Sequence, residues 1–189
     1  MPVTSNDVAN QAIQLTGDNQ PPVSGNSPTF DNSTAGVALQ RLYAPCVATV
    51  ARQFGWDLAR STVALALTGN IAPVGYAFEY GYPSNGIEVW QLLPSVVVDA
   101  NNPLPITWNV GNAVVTGTQE KVIWTNLASA MATYNNNPSE ATWDSLFREA
   151  VVRLLASELA MAIAGRPDTA QSYLDSGAAM ESIAEGRPD

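Results

Sequence analysis

No histidine occurs anywhere in the 189 residues, and only one cysteine does. The first absence removes Ser-His-Asp and Cys-His nucleophilic catalysis, HExxH zinc sites and every imidazole-tuned proton transfer. The second removes thiolate zinc clusters and any internal disulfide, so Cys46 reads as a buried, inert thiol in an apolar stripe. Neither GxxxxGK[ST] nor GxGxxG is present, which leaves no phosphate-cradling loop. Charge is scarce as well. Asp, Glu, Lys and Arg make up 13% of the chain, about half the usual share. The basic residues Arg41, Arg52, Arg60, Lys121, Arg148, Arg153, Arg166 and Arg187 are scattered singly, and the net charge is −9. Tight binding of nucleic acid needs several cations acting together on phosphates, and this chain has no such cluster. No apolar run approaches the roughly 20 residues that cross a bilayer, so no membrane role is expected. Residues 1–7 lack the basic start and apolar run of a signal peptide, so synthesis in the cytoplasm is expected.

The composition is otherwise that of a globular protein, with 46% apolar residues. Its polar surface is built from Asn, Gln, Ser and Thr, which are cheaper to desolvate than ions. Such a surface suits a chain covered by partners.

Periodicity divides the chain in three. Val8, Ala12 and Leu15 predict a first helix over Ser5–Leu15 that stops at Gly17. After a Pro/Asn/Gly/Ser loop, a cap at Asp31, Asn32 or Ser33 opens a long helix to about Phe54. Its stripe is Leu39, Leu42, Tyr43, Cys46, Val47, Val50 and Phe54. Pro45 predicts a kink or a split there. Between Leu58 and Asn126 the period shortens. Residues 106–110, 114–116 and 122–125 read as three short strands, with Gly111-Asn112 and Gly117-Thr118 as the turns between them. Helical spacing then returns. Asn137-Pro138-Ser139-Glu140 suggests a capping box, followed by a stripe of Trp143, Leu146, Phe147, Ala150, Val151, Leu154, Leu155, Leu159 and Ala162. Asp144–Arg148 and Glu149–Arg153 are i,i+4 pairs on this helix. Gly165-Arg166-Pro167 ends it, and a final helix over about 168–185 stops at the same Gly-Arg-Pro signal. The fold expected is mainly α with a small β lobe (α+β): a bundle of about four helices over residues 1–57 and 127–189, with a short antiparallel meander inserted at 58–126.

Two features invite a chemical reading. Glu140/Asp144 and Glu181/Glu185 place carboxylates i,i+4 on helices. A glycosidase needs two carboxyls facing across a cleft with one pKa raised, whereas these pairs fall on solvated faces. The five tryptophans, Trp56, Trp90, Trp108, Trp124 and Trp143, suit either core packing or interface anchoring. No catalytic, cofactor-binding or metal-ligating set emerges, and no enzyme is expected. A carbohydrate-binding module using exposed tryptophans stands as the alternative from a different class.

Three stretches taken together carry a family resemblance. They are residues 6–17 (Asn-Asp-Val-Ala-Asn-Gln-Ala-Ile-Gln-Leu-Thr-Gly); residues 51–65 (Ala-Arg-Gln-Phe-Gly-Trp-Asp-Leu-Ala leading to Val-Ala-Leu) with the aromatic run Pro73-Val74-Gly75-Tyr76-Ala77-Phe78-Glu79-Tyr80-Gly81-Tyr82-Pro83; and residues 124–134 with Trp143 to Gly165. In order and spacing, over about residues 5 to 175, the chain resembles the head-to-tail adaptor proteins of short-tailed bacteriophages, the tail tubular protein A type. It departs at Pro45 and at Tyr82-Pro83-Ser84-Asn85-Gly86, which lacks the family's leucine before proline and aspartate after it.

The resemblance implies a structural virion protein at the head–tail junction, with copies forming a ring of about twelve through heterologous contacts. The ring would join the portal protein to the tail nozzle protein, with tail fibres as a further candidate partner, seal the head, and continue a channel through which DNA passes without specific binding. Such a ring would carry on the order of a hundred negative charges, which discourages DNA from adhering. Tyr173, Leu174, Met180, Ile183 and Arg187 are the residues expected to face the portal. Trp90, Trp108 and Trp124 are those expected to face a neighbouring subunit or the nozzle. The related alternative is a head-completion or tail-terminator protein of a longer-tailed phage.

Overall fold

The computed structural model describes residues 3–17, 20–53, 56–95, 106–164, 171, 172 and 175. By contacts the chain divides into two units, Met1–Ala59 with Asn137–Asp189, and Arg60–Asn136.

In the first unit α1 (Ser5–Leu15) begins at a capping box. Thr4 accepts from the Asp7 N–H, and the Asp7 carboxylate takes the Thr4 N–H at 3.0 Å. Its inner face is Ser5, Val8, Ala9, Ala12 and Ile13, a spacing that only a helix lines up. The following loop is tied back to this helix by side-chain amides. Asn6 donates to the Val23 and Gly25 carbonyls, while Asn10 both donates to Val23 O and accepts its N–H. A two-residue ribbon, β1 (Gly25–Asn26) with β2 (Thr29–Phe30), leads to α2 (Thr34–Gln53).

Of the three candidate caps for α2, Ser33 does the work: its hydroxyl accepts from Gly36 N–H at 3.0 Å. Asp31 in turn holds the Ser33 N–H and hydroxyl. Pro45 neither splits nor ends α2. It lies on the exposed side, as does Arg41, whose carbonyl loses the amide partner, so water can satisfy the freed group.

The last long helix starts later than Asn137-Pro138-Ser139-Glu140 suggested. Ser139 makes no side-chain cap, and Glu140–Thr142 is only a 3-10 turn. Asp144 is the true cap, accepting Phe147 N–H at 2.7 Å, and α3 runs Ser145–Leu159 before a π-helical turn over Ala160–Ala164. The helix packs against both α1 and α2. Its buried face is accordingly wider than the expected stripe: Val152, Ala156 and Ser157 are buried with Phe147, Ala150, Val151, Leu155 and Leu159, while Leu146 is exposed. Trp56 and Trp143 meet Phe147 edge-on, with ring centroids 5.2 and 5.0 Å away. Arg148 reaches across to donate to Gln11 Oε1 at 2.6 Å, and the expected Glu149–Arg153 pair forms at 2.8 Å.

The second unit overturns the expected fold class. It is not a short meander on a four-helix bundle; among the described residues the chain has three α-helices and eight strands in three sheets. Here β3 (Arg60–Ala64), β4 (Phe78–Gly81), β5 (Gly86–Pro94), β6 (Trp108–Val115), β7 (Thr118–Thr125) and β8 (Ala130–Asn136) form two antiparallel sheets. Their orders are β3-β8-β5 and β4-β7-β6. Both sheets line one core of Tyr80, Val89, Leu92, Ile123, Ala130, Ala132 and Tyr134. Gly111-Asn112 is not a turn. Gly111 lies inside β6, where an added Cβ would stand 2.1 Å from Trp124 Cη2, so the indole occupies the space a side chain would fill. The real turn is Thr116-Gly117, both with positive φ, which joins β6 to β7 with Val115 opposite Thr118.

Candidate interaction surface

Among the described residues, the two most exposed large apolar side chains of the second unit, Ile71 and Val74, lie on the loop between β3 and β4, with Leu67 beside them. Leu67 is 58% exposed, Ile71 97%, and Val74 fully exposed. Residues 65–77 carry no charge, so nothing in the sequence of the loop itself draws these side chains into water. Large apolar groups held this far out on a fixed backbone are available for contact with a partner.

Both legs of the loop are fixed. On the first leg, Leu67 bridges to Tyr80, Gly81 N–H donates to Ala66 O at 2.9 Å, and Thr68 N–H donates to Glu79 O at 3.1 Å. On the second, Ala77 N–H donates to Asn126 Oδ1 at 2.8 Å, the Asn126 amide donates to Gly75 O at 3.4 Å, and the Tyr76 ring lies 6.3 Å from that of Trp124.

Glu79 is the hub. The residue is 3% exposed, and its carboxylate accepts from Thr68 Oγ1, Asn70 Nδ2 and Trp124 Nε1, each at 2.8 Å. Burial alone would raise its pKa, but the three donors prevail and hold it below the ordinary glutamate value. The same Asn70 amide also donates to Val114 O at 3.1 Å, so one carboxylate ties the loop to β4, β6 and β7.

The tryptophans expected at an interface do not share one face. Trp90 stands on β5, 46% exposed. Trp108 is partly buried against the core of the second unit. Trp124 is half-buried on the opposite face of its sheet, engaged by Glu79 and Gly111. Tyr173, Leu174, Met180, Ile183 and Arg187 lie outside the described residues, as do Glu181 and Glu185. Sequence reasoning did not single out Leu67, Ile71, Glu79 or Asn70. The available signal was an uncharged stretch running from Ser61 to Phe78.

The other reactive groups serve structure. Glu140 accepts the Tyr43 hydroxyl at 3.2 Å, and burial with this carboxylate pushes the phenol pKa upward. Asp144 is spent as a cap. Burial, then the charge of Glu158, pushes the Cys46 thiol up to about 12, where it stays protonated. Among the described residues no three His, Cys, Asp or Glu side chains gather into a metal-binding group, and no helix is long and apolar enough to cross a membrane. No family model matches this chain, and the search of curated proteins returns no match to it.

Proposed function

We propose that this chain is a structural subunit of a head-to-tail adaptor of a short-tailed bacteriophage, a ring between portal and tail nozzle, with no catalytic role. The phage assignment comes from the colinear motifs over residues 5 to 175. The single observation that carries the docking role is the anchored apolar loop: Ile71 is 97% exposed at the end of a stem pinned by a buried carboxylate. A loop of this kind is pre-organised, so little ordering entropy is lost when a partner covers it. The scarcity of charge fits the same reading, since neutral surface is cheap to desolvate against neighbours. DNA passes the ring without specific binding, because a subunit of net charge −9 offers no cluster of cations to phosphates.

Imaging of virions that carry a tagged copy tests the assignment. The expected density is a ring at the portal vertex, above a short tail. A ring at the far end of a long tail, or a tag missing from virions, overturns it.

A further inference from the structure

The connection from β4 to β5 holds Asn85-Gly86, the one Asn-Gly step in the sequence. Asparagine is a chemically labile side chain. It is most labile before glycine, because a residue without Cβ leaves its backbone nitrogen open to the side chain ahead of it. That nitrogen attacks the side-chain carbon Cγ of the asparagine and gives up its proton. The side-chain nitrogen leaves as ammonia, and a five-membered imide closes. Water then opens the imide, at one carbonyl to aspartate and at the other to isoaspartate. Water is the only co-reactant.

The fold uses both residues of this step. A Cβ on Gly86 would stand 3.0 Å from Pro83 O and 3.1 Å from Tyr82 Cε1, so a larger residue crowds the turn. Asn85 is exposed, yet its Oδ1 accepts the Tyr134 hydroxyl at 2.9 Å. Tyr134 belongs to the core of the second unit, 6% exposed on β8, where it lies opposite Val89 of β5. The Asn85 amide is thereby tied to a buried ring. The nucleophile is tied as well. Gly86 N–H donates to Pro83 O at 2.9 Å, and Gly86 lies opposite Asn136, whose amide donates to Ser61 Oγ at 2.7 Å. Closing the imide requires the Asn85 side chain to swing toward Gly86 N, and that N–H to lose its proton. Each change breaks one of these bonds.

We infer that Asn85 is this chain's site of spontaneous deamidation, held latent by the fold, and that Tyr134 is the positioning residue that sets its rate. The reaction proceeds when the turn opens locally. Its product puts a negative charge into the neutral run from Gly81 to Ile87. Isoaspartate also lengthens the backbone by a methylene, one residue ahead of the β5–β8 ladder. The inference stands on the second unit alone and does not depend on the adaptor reading.

Peptide mapping by mass spectrometry tests the inference by following Asn85 while the purified chain stands in mildly alkaline buffer. The wild type is followed both folded and in urea, beside folded Tyr134→Phe and Tyr80→Phe. Tyr80 is the comparison, because its hydroxyl donates to Leu127 O at 2.8 Å in the same core and takes no part in the Asn85 bond. In urea, Asn85 is expected to convert before any other asparagine, and in the folded wild type far more slowly. Tyr134→Phe is expected to convert Asn85 about fivefold faster than the wild type, the opening that one net hydrogen bond holds back. Tyr80→Phe is expected to keep the wild-type rate. A folded wild type that matches the urea rate, a different asparagine converting first in urea, or a Tyr134→Phe chain no faster than the wild type overturns the inference. Equal acceleration by Tyr80→Phe overturns it too, since general loosening would then explain the effect. If Tyr134→Phe fails to fold, the comparison of folded and urea-treated wild type decides.

Discussion

The indole N–H of Trp124 donates to Glu79 Oε2 at 2.8 Å, joining β7 to β4 across the face that the 65–77 loop covers. The other carboxylate oxygen takes Thr68 and Asn70 from the loop, so one buried charge fixes both the sheet and the position of Ile71. Replacing Glu79 by Gln removes the charge and one acceptor and leaves a buried donor facing donors. Glu79→Gln is expected to destabilise the second unit by about 2–3 kcal/mol, the loss of a charged hydrogen-bond acceptor in a buried site. Urea unfolding followed by tryptophan fluorescence measures it.

Gly111 is required by Trp124. A Cβ at residue 111 would fall 2.1 Å from the ring, so the indole, held at its N–H by Glu79, must shift to admit it. Gly111→Ala is expected to cost about 1–3 kcal/mol, as overpacking does. Gly81, a strand residue without a positive φ where an added Cβ meets nothing nearer than Ala66 O at 3.9 Å, serves as the comparison for crowding in the same assay.

Pro45 interrupts the hydrogen bonding of an otherwise continuous α2 and lies on its exposed side. Pro45→Ala restores an amide without disturbing the core, and a gain of up to about 3 kcal/mol is expected from propensity alone. A rise in melting temperature checks it, and a fall would mean that the proline shapes a contact.

Acid stability follows from three carboxylates. The Ser33 hydroxyl, with the Ser24 and Ser33 N–H groups, holds Asp31 at about 2. The Thr4 hydroxyl and N–H lower Asp7, and the donors around Glu79 outweigh its burial. A folded carboxyl with a lowered pKa contributes fully above its unfolded value and loses that contribution as pH falls through the folded one. Melting temperatures are therefore expected to hold down to about pH 5 and to fall between about pH 4 and pH 2. Asp31→Asn should flatten part of that fall.

Helices α1 and α2 and the buried row of α3 were legible in the sequence because their signals are local. By contrast, α3 begins later than the expected capping box, and the helix expected over about 168–185 lies outside the described residues. Thr4 with Asp7, the Leu39–Tyr43–Cys46–Val50 row and the Phe147–Val151–Leu155 row each announce a helix within a few residues. The sheets were less legible, because their determinants lie far apart in the chain. Gly111-Asn112 has the composition of a turn, yet it pairs as strand with β7, and Trp124, thirteen residues on, fills the space beside the glycine. Phe78, Tyr80 and Tyr82 alternate as a strand should, but Gly75, Gly81 and Pro83 around them mask the period in the sequence. Strand β8 is pinned between β3 and β5, partners that lie dozens of residues earlier in the chain. The candidate surface was invisible for a related reason: only a sheet bonded through Glu79 reveals that the Leu67 to Val74 segment is held outward.

The central claim is that this subunit acts by assembling with other proteins, and its most direct measurement is the mass of the product formed when the purified chain meets its portal. The account predicts a stable complex carrying about twelve copies of the chain on one portal ring. Two components that sediment independently at every ratio would contradict it.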